Sequence, residues 1–143
     1  MRIAVIGGGP AGLYVGYLLR RAFADAQIDI VEQNPENVTW GFGVVFSDTA
    51  LDFLQADDPE THAAIVPHME MWRDLTLDHA GTRIAIDGVG FAAIGRLKLL
   101  QLLTERARSV GLTPQFGTSL KDLAAYQDYD LIIGSDGVNS IVR

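Results

Sequence analysis

The sequence contains no cysteine. Disulfides, thiolate nucleophiles and cysteine-ligated metals are thereby excluded together, and any redox chemistry has to come from a cofactor. The same absence suits a reducing cytoplasm, which is the expected location. No run of lysine or arginine occurs either, and 11 basic against 18 acidic residues leave a net charge of −7. Nucleic acid and anionic membrane surfaces are therefore not expected partners. No stretch reaches the ~18 uninterrupted apolar residues of a membrane span. The apolar N-terminus also fails as a secretory leader, because Gly7, Gly8, Gly9 and Pro10 break it at once. Histidine is scarce: His62, His68 and His79 show neither the i, i+4 spacing nor the flanking acids of a metal site, and no metal is expected. No nucleophile, base and acid constellation is visible, so no catalytic residue is assigned.

What remains is the composition of a folded α/β domain: 143 residues, 48% hydrophobic and 20% charged. One compact unit is expected over residues 1–143. "RIAVI" at 2–6 reads as a strand buried on both faces of a parallel sheet. Helical spacing follows over 10–24, with Pro10 at the first helical position. "IDIVE" is a second strand ending at Glu32, which completes a β-α-β unit. Residues 33–46 read as a long loop, and Ser47 and Asp48 as caps of the next helix. A short helix follows Pro59. Alternating residues 69–79 and 82–87 around Ala80-Gly81 predict an inserted β-hairpin. A helix over 96–110 with Gly111 as C-cap, a strand at "LTPQF", a turn or short helix, and a last parallel strand "DLIIG" complete the reading.

Gly7, Gly9 and Gly12 spell G-x-G-x-x-G between the first strand and the first helix. Gly7 serves the tight turn, Gly9 allows a pyrophosphate close to the backbone, and Gly12 allows helix and strand to pack closely. Pro10 and Ala11 open the helix, whose dipole and free N–H groups face the phosphates. Glu32, twenty residues after Gly12, is placed to accept the ribose hydroxyls, with Gln33 beside it. A carboxylate there repels a 2′-phosphate, so the bound adenosine is not that of NADP. NAD and FAD share this ADP end, and the first motif alone does not separate them.

Residues 129–143, "YDLIIGSDGVNSIVR", hold an apolar strand, then Asp136-Gly137, Ser140 and Arg143. Here the sequence resembles the flavoprotein aromatic hydroxylases of the para-hydroxybenzoate hydroxylase type. Ser135 stands where that family more often has alanine. The resemblance implies a Rossmann-like FAD-binding domain with a parallel sheet and a β-hairpin insertion. It places Asp136 and Gly137 near the FAD pyrophosphate, and Arg96, at the start of the helix after the insertion, at the FAD phosphates. Residues 40–65, "WGFGVVFSDTALDFLQADDPETHAAI", resemble more narrowly the hydroxylases of aromatic CoA thioesters, which implies that Gly41, Gly43 and Val44 neighbour the flavin. The implied activity is NAD(P)H-dependent hydroxylation of an aromatic substrate, an aryl-CoA thioester, with FAD as cofactor and O2 as co-substrate. The family's third flavin motif and its substrate domain have no counterpart in these residues, so the chain reads as part of a longer hydroxylase, inactive alone. Reductases and halogenases of the same fold, and an inactive nucleotide-binding module, are the alternatives.

Overall fold

The computed structural model describes residues 1–88 and 90–143. The apolar run at the start becomes β1 (Arg2–Ile6), whose residues Ile3 to Ile6 are buried. It is the central strand of a parallel sheet, between β2 (Gln27–Val31) and β8 (Leu131–Gly134). Strand residues alternate between faces, and both faces are covered, as a parallel sheet requires. On one side Ile3, Val5, Ile28 and Ile30 pack with Ala107 and Leu112. On the other, Ala4, Ile6 and Val31 pack with Tyr126, beside Leu120 and Leu123.

The connection from β1 to β2 is α1 (Pro10–Ala22), with Pro10 at its first position as expected and Gly9 as N-cap. A second long helix, α4 (Arg96–Ser109), ends where Gly111 takes φ +80° and the Leu112 N–H returns to the Ala107 carbonyl at 3.1 Å. That glycine closes the helix as expected, since positive φ is strained for other residues. The expected strand at 112–116 is reduced to one parallel bridge, Val31 with Gln115. Pro114 lacks an N–H, so only Gln115 exchanges ladder bonds: it donates to Ile30 at 2.8 Å and accepts from Glu32 at 2.8 Å.

The chain divides into two compact units: residues 1–40 with 100–143, and residues 41–99. The second unit holds β3 (Gly43–Ser47), α2 (Asp48–Asp57), α3 (Pro59–Ile65), a 3-10 turn at Val66–His68, β4 (Glu70–Trp72), β5 (Leu75–His79), β6 (Thr82–Ile86) and β7 (Phe91–Gly95). Of the two expected caps of α2, Ser47 serves, its hydroxyl accepting from Ala50 N–H at 3.2 Å, while Asp48 is the first residue of the helix; α3 is capped by Asp58, which accepts from Thr61 N–H at 3.3 Å. Three expectations change. The loop over 33–46 contains the start of β3. The segment 69–79 splits, so that only β5 forms the hairpin with β6 while β4 pairs with β7. The third change is β7, unforeseen from the sequence, which is the middle strand of the antiparallel order β3-β7-β4. No helix among the described residues is long and apolar enough to cross a membrane.

Candidate nucleotide-binding site

The turn after β1 is built from glycines that the packing demands. Gly7 has φ +105°, and a Cβ there would lie 2.5 Å from the Ser135 carbonyl carbon and 2.7 Å from the Asp136 nitrogen. A Cβ on Gly8 would lie 2.7 Å from that of Glu32, and one on Gly12 would run into the Gly7 carbonyl oxygen. Gly9 differs: a Cβ there meets nothing within 4 Å. Its space is open, directly over the start of α1. That helix has no side-chain cap and no acid in its first turn. The N–H groups of Ala11 and Gly12, which a capping side chain would normally take, have no capping side chain here. Open space and unclaimed donors at a helix N-terminus fit an anion such as a diphosphate.

Glu32 follows β2 directly. Its Oε2 accepts from Gly8 N–H at 2.7 Å, and its Oε1 accepts from both the backbone N–H and the side-chain amide of Asn34, at 2.8 and 2.7 Å. A carboxylate has about four acceptor positions. The remaining one is on Oε2, so the carboxylate is fixed beside the glycine turn with one acceptor position unused. Asn34 was not foreseen; a polar residue two places after the acid was the available signal. Gln33 is exposed at the same corner.

The second turn, after β8, meets the first. Ser135 N–H donates to Ile6 at 2.7 Å, while its hydroxyl reaches the Gly7 carbonyl at 2.7 Å and that of Ile6 at 3.0 Å. Asp136 turns its carboxylate into its own loop, accepting from the Ser140 hydroxyl and the Ile141 N–H, each at 2.7 Å. Burial pushes the Asp136 pKa up. The bonds from Ser140 and from backbone N–H groups outweigh it and hold the carboxyl below its ordinary range. Gly137 supplies φ +79°, and Arg143 closes the loop on the Val138 carbonyl at 2.8 Å. Asp136, Ser140 and Arg143 thus brace one turn.

Gly43, Val44 and Arg96 lie in the other compact unit. Gly43 pairs with Gly95, and Val44 with Ile94, across β3 and β7. Arg96 donates its N–H to the Phe42 carbonyl at 3.1 Å, and its Cδ would lie 3.6 Å from a Cβ on Gly41. Trp40 and Phe42, which could have packed this loop down, are exposed instead. Among the described residues no group of three or more histidine, aspartate or glutamate side chains could hold a metal.

Residues 5–48 match the family model of the NAD(P)-binding Rossmann-like domain. Over all 143 residues the chain is 42% identical to a salicyloyl-CoA 5-hydroxylase from Streptomyces sp, covering 28% of that protein. It is 28% identical to 3-hydroxy-4-methyl-anthranilyl-[aryl-carrier protein] 5-monooxygenase from Streptosporangium sibiricum, over all of this chain and 40% of that one. The chain is a relative of these monooxygenases. Protodeoxyviolaceinate monooxygenase from Chromobacterium violaceum adds 32% identity over 97% of the chain and 38% of its own length. The chain therefore spans well under half the length of each of these monooxygenases. Among solved structures, 2-methyl-3-hydroxypyridine-5-carboxylic acid oxygenase superposes with a TM-score of 0.82 at 21% identity, over 99% of this chain and 41% of that one. PqsL of Pseudomonas aeruginosa, described as a probable FAD-dependent monooxygenase, gives 0.74 at 17% identity, over 100% and 44%. At such identities these two establish the fold, a Rossmann-like domain with a parallel sheet.

Proposed function

We propose that the chain holds the ADP portion of FAD and serves a monooxygenase that hydroxylates an aromatic substrate carried as a thioester, using NAD(P)H and O2, in the cytoplasm. The observation that carries the cofactor reading is the N-terminus of α1, where a glycine cap faces open space with no side chain or acid claiming the donors. Ala11 and Gly12 N–H groups would hold the diphosphate, Gly9 would let it approach, and Glu32 would take a ribose hydroxyl. Gly137 would present backbone to the diphosphate from the second turn, with Asp136 keeping that turn in shape. For Gly43, Val44, Arg96 and Gln33 the reading rests on sequence alone. Bound FAD would supply electron acceptance from the nicotinamide and oxygen transfer to the ring. The thioester-linked aromatic class is supported by relatives named for CoA-linked and carrier-protein-linked substrates.

The test is a visible spectrum of the purified chain after incubation with FAD and removal of excess, beside calorimetric titration with ADP, FAD and NADH. Retained, perturbed flavin absorbance and saturable ADP binding are expected. Binding of NADH in preference to both ADP and FAD would overturn the flavin assignment.

A further inference from the structure

The Gly7–Gly8 peptide is gripped at both ends. Its carbonyl accepts from the Ser135 hydroxyl at 2.7 Å, and its N–H donates to Glu32 Oε2 at 2.7 Å. Neither residue carries a Cβ, so no side chain of their own fixes this peptide plane, and its orientation is left to its neighbours and its two hydrogen bonds. Rotation would carry the Gly7 oxygen away from its place beside Gly12 and toward the Glu32 carboxylate, setting two acceptors against each other. It would also remove the Gly8 donor on Oε2, the oxygen that keeps the remaining acceptor position. The two Asn34 bonds hold only Oε1. The direction of the free position on Oε2 therefore depends on Gly8, and that of Gly8 on Ser135.

We infer that Ser135 is a positioning residue for the nucleotide: its hydroxyl fixes the Gly7–Gly8 peptide, which fixes the Glu32 carboxylate for the ribose. The inference rests on the ADP reading above. Ser135 itself touches only backbone, so its influence reaches the ligand through Glu32.

Two measurements on the 143-residue chain test it: amide hydrogen exchange at Gly8 by NMR, and the calorimetric Kd for ADP. Ser135→Ala is expected to speed Gly8 exchange and weaken ADP binding, each by about two- to tenfold, the size of one net hydrogen bond. In a Glu32→Ala background the same substitution should leave ADP affinity unchanged, because the path to the ribose is already cut. Ile28→Val, which trims the core of the same unit, should lower stability without moving ADP affinity; this separates positioning from general loosening. Ser135→Cys, with its weaker donor, should fall between wild type and alanine and serves if the alanine variant folds poorly. Unchanged Gly8 exchange and ADP affinity in Ser135→Ala and Ser135→Cys would overturn the inference while leaving the nucleotide reading intact. Equal losses from Ser135→Ala with and without Glu32 would overturn it too. A wild-type chain that binds no ADP while Gly8 exchange responds to Ser135 would overturn the nucleotide reading, and Ser135's role with it.

Discussion

Gly9 and Gly12 sit three residues apart in one motif and answer different demands. Gly12 has the Gly7 carbonyl where its Cβ would be, so Gly12→Ala should destabilise the fold by about 1–3 kcal/mol through overpacking, read from chemical denaturation. Gly9 faces open space. Serine is a better N-cap than glycine, so Gly9→Ser should hold or raise the melting temperature while its hydroxyl occupies the donors that a phosphate needs. Calorimetry should show ADP affinity falling by at least about tenfold, the worth of one charge-assisted bond. Opposite signs for stability and binding at one residue would mark the bare cap as functional. At Asp136 the folded pKa lies below the ordinary 3.8. Its stabilisation is therefore complete above that value and lost as pH falls through the depressed one. Asp136→Asn should thus melt below wild type at pH 6, and the gap should close on acidification below about pH 4.

At the scale of elements, the β5–β6 hairpin turns on Ala80 and Gly81, with φ of +51° and +82°. Two positive angles suit asparagine-glycine and strain alanine, so Ala80→Asn should raise the stability of the second unit by about 1 kcal/mol. In the first unit α1 and α4 are tied by Tyr17, whose buried ring lies under the guanidinium groups of Arg106 and Arg21, at 4.7 and 5.5 Å. Both arginines also donate to its hydroxyl. Tyr17→Phe should cost about 1 kcal/mol in urea denaturation and Tyr17→Leu more, because leucine also gives up the ring faces. These elements show how far the sequence could be read. The parallel strands and α1 were legible because burial on both faces and a proline-started helix leave strong local patterns. β7 was not: "FAAIG" is rich in alanine and glycine, and its pairing with β3 and β4 is set by register across the sheet. β4 was assigned to the wrong partner for the same reason, since alternation gives a strand's face and says nothing of its neighbour. In the site, the three motif glycines and Glu32 were legible from spacing. Asn34 was not, because spacing does not show that a side chain two places on turns back to the acid, and the double grip on the Gly7–Gly8 peptide was not, because it joins residues up to 128 apart.

For the molecule as a whole, the net charge of −7 sets a long-range field against an anionic ligand, while the donors at α1 act only at contact. Screening shortens the reach of the first from about 30 Å at 0.01 M salt to about 8 Å at 0.15 M. The association rate of ADP in stopped-flow mixing should therefore rise as salt is added over that range. A rate that falls with salt would locate a net positive funnel around the site.

The strand order β2-β1-β8 has a bearing on how the protein is made. β1 is flanked on one side by a neighbour that follows within a few dozen residues, and on the other by one whose first residue, Leu131, pairs with Ile3. During synthesis at 5–20 residues per second, the second neighbour emerges roughly 6–26 s after β1. Through that interval a strand whose residues Ile3 to Ile6 are all buried in the folded sheet offers an open edge beside the ribosome. Slowing translation between residues 40 and 130 should lengthen that window and lower the soluble yield.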